Sequence, residues 1–167
     1  MVLLEKITVG AAGASSVTFS SIPQTGYTDL VIKWTGRAND NGVADGFGIS
    51  AFNGVTAGFT GKQIQGSGTT ATSASPTGRI MVINGTAATA NTFANTEIYI
   101  PNYTGSTFKS MSVDSVAENN ATPANVLLVA NLWSQTAAIT ALTFDNSTSG
   151  QNFVQYSTAT LYGISKS

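Results

Sequence analysis

Leu30, Ile32 and Trp34 alternate along the chain with Val31, Lys33 and Thr35. Leu142 and Phe144 alternate with Thr143 and Asp145 in the same way. A period of two with one face more apolar is what a half-buried strand requires. Thr, Val, Ile, Phe and Tyr recur throughout, and Gly, Asn, Asp and Ser punctuate them. The pattern predicts strands over Leu3–Val9, Ser16–Ser21, Asp29–Arg37, Gly46–Asn53 and Arg79–Asn84. It predicts further strands over Asn95–Ile100, Thr107–Ala117, Val126–Trp133, Ala138–Asp145 and Phe153–Ile164.

The breaks have turn chemistry. Asn39-Asp40-Asn41-Gly42 and Asn53-Gly54 supply residues that tolerate positive φ. Ile22-Pro23 and Ile100-Pro101 end strands, because proline cannot donate to a central ladder. Asp145 to Gly150 reads as a polar tip. Gly66–Gly78 reads as a long loop of small polar residues, and Asn84–Thr92 as a second small-residue loop. Ala117–Val126 has room for a short helical turn, limited by Pro123. No helix longer than two turns and no fixed-period repeat is visible.

Many short strands and almost no helix predict an all-β, antiparallel two-sheet sandwich. A jelly roll is the first choice of topology and an immunoglobulin-like sandwich the second. The 167 residues fit a single domain, with 1–9 either its first strand or an N-terminal arm that adds to a neighbour.

Composition narrows the function. Charged residues make up 9% of the chain, with a net charge of −1, against about 25% in an average soluble protein. Hydrophobic residues reach 42%, enough for a core. There is no Cys and no His, which removes disulfides, thiolate nucleophiles, Ser–His pairs and the usual zinc ligands. The charge balance argues against nucleic acid. Met1 to Ile7 lacks the basic region of a signal peptide, and no apolar stretch is long enough to span a bilayer, so membrane partners are not expected. Asn84, Asn102, Asn120 and Asn146 head Asn-x-Ser/Thr triplets, products of a Thr- and Asn-rich composition.

Few constellations offer chemistry. Asp40 and Asp45 share a loop that could present oxygens to Ca²⁺, but their spacing fits no EF-hand. Asp114 and Glu118 share a strand face about 13 Å apart, wide for paired-carboxylate hydrolysis. Glu97 or Asp29 could approach them in the fold. Gly10-Ala11-Ala12-Gly13 and Gly66-Ser67-Gly68 lack the lysine of a phosphate loop. The expectation is a non-enzyme without cofactor or metal.

The interface candidates are Leu3, Leu4 and Ile7 in the first strand, the two arginines Arg37 and Arg79, and Tyr103. Arginine's planar fork suits a fixed carboxylate partner, within the chain or across an interface. Tyr103, in a Pro-Asn-Tyr-Thr-Gly turn, is expected to be exposed. A long β chain with so few edge charges predicts a symmetric homo-oligomer.

Several segments resemble a group of small tailed-bacteriophage virion proteins. They are Phe19 to Ile32 with its Ile-Pro and Tyr-x-Asp-Leu, Arg37 near the strand end, Phe52-Asn53-Gly54, and Ile98 to Tyr103. Trp133-Ser134 with Ala138-Ile139-Thr140, and the ending Phe153 to Ile164, also fit. The resemblance implies a virion structural protein with a β-sandwich fold and no catalysis. It would be a capsid decoration (cement) protein, a trimer by preference, binding the major capsid protein on the outside of the head. The alternative is a tail-fibre or receptor-binding module for host glycans. Synthesis in the host cytoplasm is expected in either case.

Overall fold

The computed structural model describes residues 1–76, 81–120, 124–146 and 150–166. Arg79, the first two residues of the strand predicted from Arg79, Gly78 at the end of the predicted loop, and Pro123 lie outside them.

Twelve antiparallel strands form two sheets, and no helix occurs among the described residues. The strands are β1 (Val2–Thr8), β2 (Ser16–Phe19), β3 (Tyr27–Gly36), β4 (Ala44–Phe52), β5 (Phe59–Ser67) and β6 (Thr70–Ala74). They continue with β7 (Met81–Asn84), β8 (Ala94–Ile100), β9 (Lys109–Ala117), β10 (Asn125–Trp133), β11 (Leu142–Asn146) and β12 (Thr158–Ser165). The large sheet runs β1-β12-β3-β8-β9-β10-β5-β6, and the small one β2-β11-β4-β7. The predicted two-sheet sandwich is the observed fold.

Alternation explains the layering. In β8 and β9 every second residue is buried, and in β10 Leu127, Val129, Asn131 and Trp133 turn inward. Trp34 is the centre of the core, its ring 5.1 Å from Phe47, 5.1 Å from Phe144 and 4.7 Å from Phe153 between centroids. Phe52 and Trp133 make a second cluster, 5.1 Å apart and edge-on. Such tilted and edge-on pairs are favoured by the aromatic quadrupole beyond the area they bury.

Two predictions fail here. Gly66–Gly78 is not a loop over its described length: Gly66 and Ser67 end β5, Gly68-Thr69 is a tight turn, and Thr70–Ala74 is β6. β5 itself was not predicted. Its alternating residues are Phe59, Gly61, Gln63 and Gln65, so no hydrophobic period marks it. It forms because β10 offers a paired neighbour from Asn125 to Trp133. All five residues of β6 are exposed, so this hairpin extends the large sheet past the small one.

Elsewhere the boundaries shift. The strand predicted over Ala138–Asp145 starts only at Leu142, because 138–141 is held by other segments. Ile139 N donates to Tyr103 O at 3.0 Å, and Ile22 N donates to Thr140 O at 2.9 Å. The last strand starts at Thr158 rather than Phe153. Residues 1–9 provide the first strand, β1, paired with β12 at the sheet edge.

Candidate functional site

Among the described residues no second layer covers the outer face of the large sheet. One row of paired positions crosses all eight strands: Lys6, Thr160, Lys33, Glu97, Asp114, Leu128, Ile64 and Ser73. Its two halves differ. Lys33 and Glu97 form a salt bridge, and Asp114 stands opposite Glu97 on the next strand. Beyond Asp114 the row passes to the exposed aliphatics Leu128 and Ile64.

β10 creates that change. Val126-Leu127-Leu128-Val129-Ala130 is an unbroken apolar run, so both faces of the strand are apolar. Leu127 and Val129 fill the core, while Val126 and Leu128 are 57% and 59% exposed. Ile64 of β5 lies beside Leu128 and is 62% exposed. An open groove of about 430 Å³ runs along this strip, lined by Lys62, Ile64, Ser73, Ser75, Leu128 and Ala130 among others. Clustered exposed aliphatics of this kind mark interaction surfaces, whereas single ones need no explanation. None of Ile64, Val126 and Leu128 was among the sequence candidates. The missing alternation in β10 was the available signal, since such a run reads as a strand covered on both faces.

The described members of the predicted set, Leu3, Leu4, Ile7, Arg37 and Tyr103, lie in different surroundings. Leu3 is 56% exposed on β1, whereas Leu4 and Ile7 are half-buried and pack against the core. Tyr103 is fully buried, contrary to expectation. Its hydroxyl donates to the Pro23 carbonyl, tying the 101–105 turn to the Ile22-Pro23 segment. Burial, with a smaller effect of Tyr27, pushes its phenol above the ordinary 10.0.

Among the described residues Arg37 bonds backbone carbonyls and a hydroxyl rather than a carboxylate of its own chain. Its Nη1 donates to Thr89 O at 2.9 Å, Thr92 O at 3.0 Å and Thr92 Oγ1 at 3.3 Å. Its Nη2 donates to Ala88 O at 3.0 Å and Thr86 O at 3.3 Å. The guanidinium fork is thus the internal support of the β7–β8 loop. The same loop needs Gly85, where a Cβ would collide with the Gly42 carbonyl. Arg79 lies outside the described residues.

The carboxylates serve local structure. Asp29 Oδ1 accepts from Asn102 N at 2.9 Å and its Oδ2 from the Tyr99 hydroxyl at 3.1 Å. Desolvation first, then Asp29, raises the Tyr99 phenol. Asp40 Oδ1 accepts from Gly42 N at 2.6 Å, and Asp45 Oδ1 from Gly46 N at 2.7 Å. Glu118 Oε1 accepts from the amides of Asn119 and Asn120 at 3.1 and 2.7 Å. Glu97, not Glu118, is the carboxylate that faces Asp114. Among the described residues no three acidic, His or Cys side chains gather as a metal site would require.

Lys109 was not anticipated. It is 1% exposed, and its Nζ donates to the carbonyls of Gly105 at 2.6 Å, Thr107 at 2.5 Å and Thr136 at 3.4 Å. Burial lowers its pKa from the ordinary 10.5. It closes the β8–β9 loop much as Arg37 closes the β7–β8 loop.

Comparison of the chain with protein-family models, with curated proteins and with solved structures finds no match.

Proposed function

We propose that the chain is a bacteriophage virion structural protein, a capsid decoration protein that seats the outer face of its large sheet on the head. The single observation behind this reading is the strip of exposed aliphatic residues Ile64, Val126 and Leu128 on the open face of the large sheet. A sandwich needs only the inner face of each sheet to be apolar. The resemblance in the Phe19 to Ile32 and Phe153 to Ile164 segments supports the virion assignment. The docking partner is the major capsid protein. The surface that fits is apolar, with a cation facing Asp114 at the border of the strip. No step of this role needs a cofactor or turnover.

The tail-module reading has less behind it. Tyr103, its best loop aromatic for stacking on a sugar, is buried.

Immunogold labelling of a tagged chain on purified virions tests the proposal. Label spread over the head supports it, and Leu128→Lys should then strip the protein from the particle while leaving it folded. Label confined to the tail overturns it, as does a Leu128→Lys protein that still decorates heads at full occupancy.

A further inference from the structure

The two sheets have four edge strands, and three are guarded. β1 carries Glu5 and Lys6 and a register shift between Leu3 and Glu5. β2 is only four residues long. β7 is buried along its length, and the Ser115 hydroxyl accepts its Val82 N–H at 3.0 Å. Charges, bulges, short strands and cover are the usual ways in which edges avoid pairing. β6, five residues long, has no charge, bulge or cover among the described residues. Its sequence, Thr-Ala-Thr-Ser-Ala, is uncharged, fully exposed and regularly paired on its β5 side.

The hairpin fixes which backbone groups are free. Ser67 and Thr70 flank a two-residue turn, so they form a hydrogen-bonded pair. Hydrogen-bonded and non-hydrogen-bonded pairs then alternate along the ladder. Thr70, Thr72 and Ala74 therefore turn their N–H and C=O towards β5. Ala71 and Ser73 turn theirs outward.

We propose that this edge pairs with the same edge of a second copy of the chain, antiparallel about a two-fold axis at Thr72. The outward groups of Ala71 meet those of Ser73 in the other copy, and the reverse, giving four main-chain hydrogen bonds. The two Thr72 side chains face each other on the axis as a non-hydrogen-bonded pair. Cross-strand Thr–Thr pairs are favourable. A second copy is the occupant argued for because the register is self-complementary and no like charges oppose it. Between Phe59 and Ala74 only Lys62 is charged, and its ammonium is already bonded to Ser75 Oγ. Pairing joins two large sheets edge to edge and leaves the strip at Leu128 uncovered in both copies. An isologous contact closes at two, so it differs from the trimer expected from the sequence. It does not rest on the proposed role in the virion.

Sedimentation velocity on the full chain, from about 1 µM to about 1 mM, tests this. The expected result is a monomer–dimer equilibrium. Thr72→Lys and Thr72→Glu should each weaken the dimer at least about tenfold, through like charges on the axis, and an equimolar mixture of the two should restore it. Ala71→Pro removes an outward N–H and should weaken the dimer while leaving the β5 ladder intact. In this cysteine-free chain, Thr72→Cys should form a disulfide-linked dimer under mild oxidation. Its Cα atoms would stand about 4.5 Å apart, within disulfide reach, whereas Ser112→Cys on β9 should not link. A monomer at every concentration, a trimer, or a dimer indifferent to Thr72→Lys overturns the proposal. Thr72 is exposed, so a Thr72→Lys chain with unchanged circular dichroism excludes misfolding as the cause.

Discussion

Arg37→Met tests whether the arginine is an internal brace or an interface residue. The substitution keeps much of the apolar stem and removes five donor contacts to the 86–92 segment. A hydrogen bond to a charged group contributes about 1.5–3 kcal/mol, but the sum overstates the loss because water replaces the guanidinium at exposed carbonyls. Arg37 is half-buried, and its contacts to Thr86 and Thr89 are at the surface. Counting chiefly the better-buried contacts to Ala88 and Thr92 gives a net cost of about 2–4 kcal/mol. For a domain of this size each kcal/mol lowers Tm by about 2–4 °C, so the midpoint should fall by about 4–16 °C. Differential scanning calorimetry gives the shift. Hydrogen exchange gives its location, which should centre on Ala87, Ala88 and Thr92, whose amides bond within this loop system. Arg37→Lys should fall between, since an ammonium cannot span both sides of the loop with a fixed fork. A Tm within about 2 °C of the parent, with unchanged exchange in 86–92, refutes the brace. If the same variant lost its virion association while remaining as stable, Arg37 would return to the interface.

Two further predictions rest on other tertiary bonds. Asn53 has φ 52°, its Oδ1 accepts from Thr140 N, Thr140 Oγ1 and Ala141 N, and its Nδ2 donates to Ala138 O at 2.7 Å. Asn53→Ala should cost about 2–4 kcal/mol in urea unfolding and Asn53→Gly about 1 kcal/mol less, since glycine spares only the backbone strain; equal losses would contradict the account. Because the folded Tyr103 phenol is raised above 10.0, its contribution is fully present below that pH and is lost as pH climbs from there through the raised value. The stability gap between the parent and Tyr103→Phe should therefore be constant from about pH 6 to 9 and narrow above 10, and a gap that widens there refutes it. Taking the difference removes the opposing effect of Lys109, whose lowered pKa favours the folded state as pH rises towards 10.5.

The alternation of Leu30, Ile32 and Trp34 was enough to place β3 at the centre of the core, because burial on one face imposes that period directly. β5 left no such trace. Its inward positions carry Gln63 and Gln65, and what makes it a strand is the ladder with β10, a partner about sixty residues away in sequence. β6 is a step further removed, since it pairs only with β5. Small polar residues permit both loop and strand, and the neighbour decides. Tyr103 failed for a related reason. A Pro-Asn-Tyr-Thr-Gly turn normally lies at the surface, but here the 138–141 segment and Pro23 cover it, and neither is local.

Residue type indicates what a side chain can bond, whereas tertiary placement decides what it does bond. In a chain with so few charges, each arginine was expected to hold a carboxylate, within the chain or across an interface. Yet Arg37 and Lys109 both spend their donors on loop carbonyls, which every loop supplies. Two loops are thus each closed by a single cation against backbone oxygens. The salt bridge found among the described residues, Lys33–Glu97, lies on the outer face, where such a pair contributes little to stability. Its position is more informative than its energy. Together with Asp114 it bounds the apolar strip on one side, and the uncharged β6 edge bounds it on the other. Within the strip the charge is Lys62, which lines the groove with its ammonium bonded to Ser75 Oγ, so exposed aliphatic carbon rather than charge dominates this part of the face.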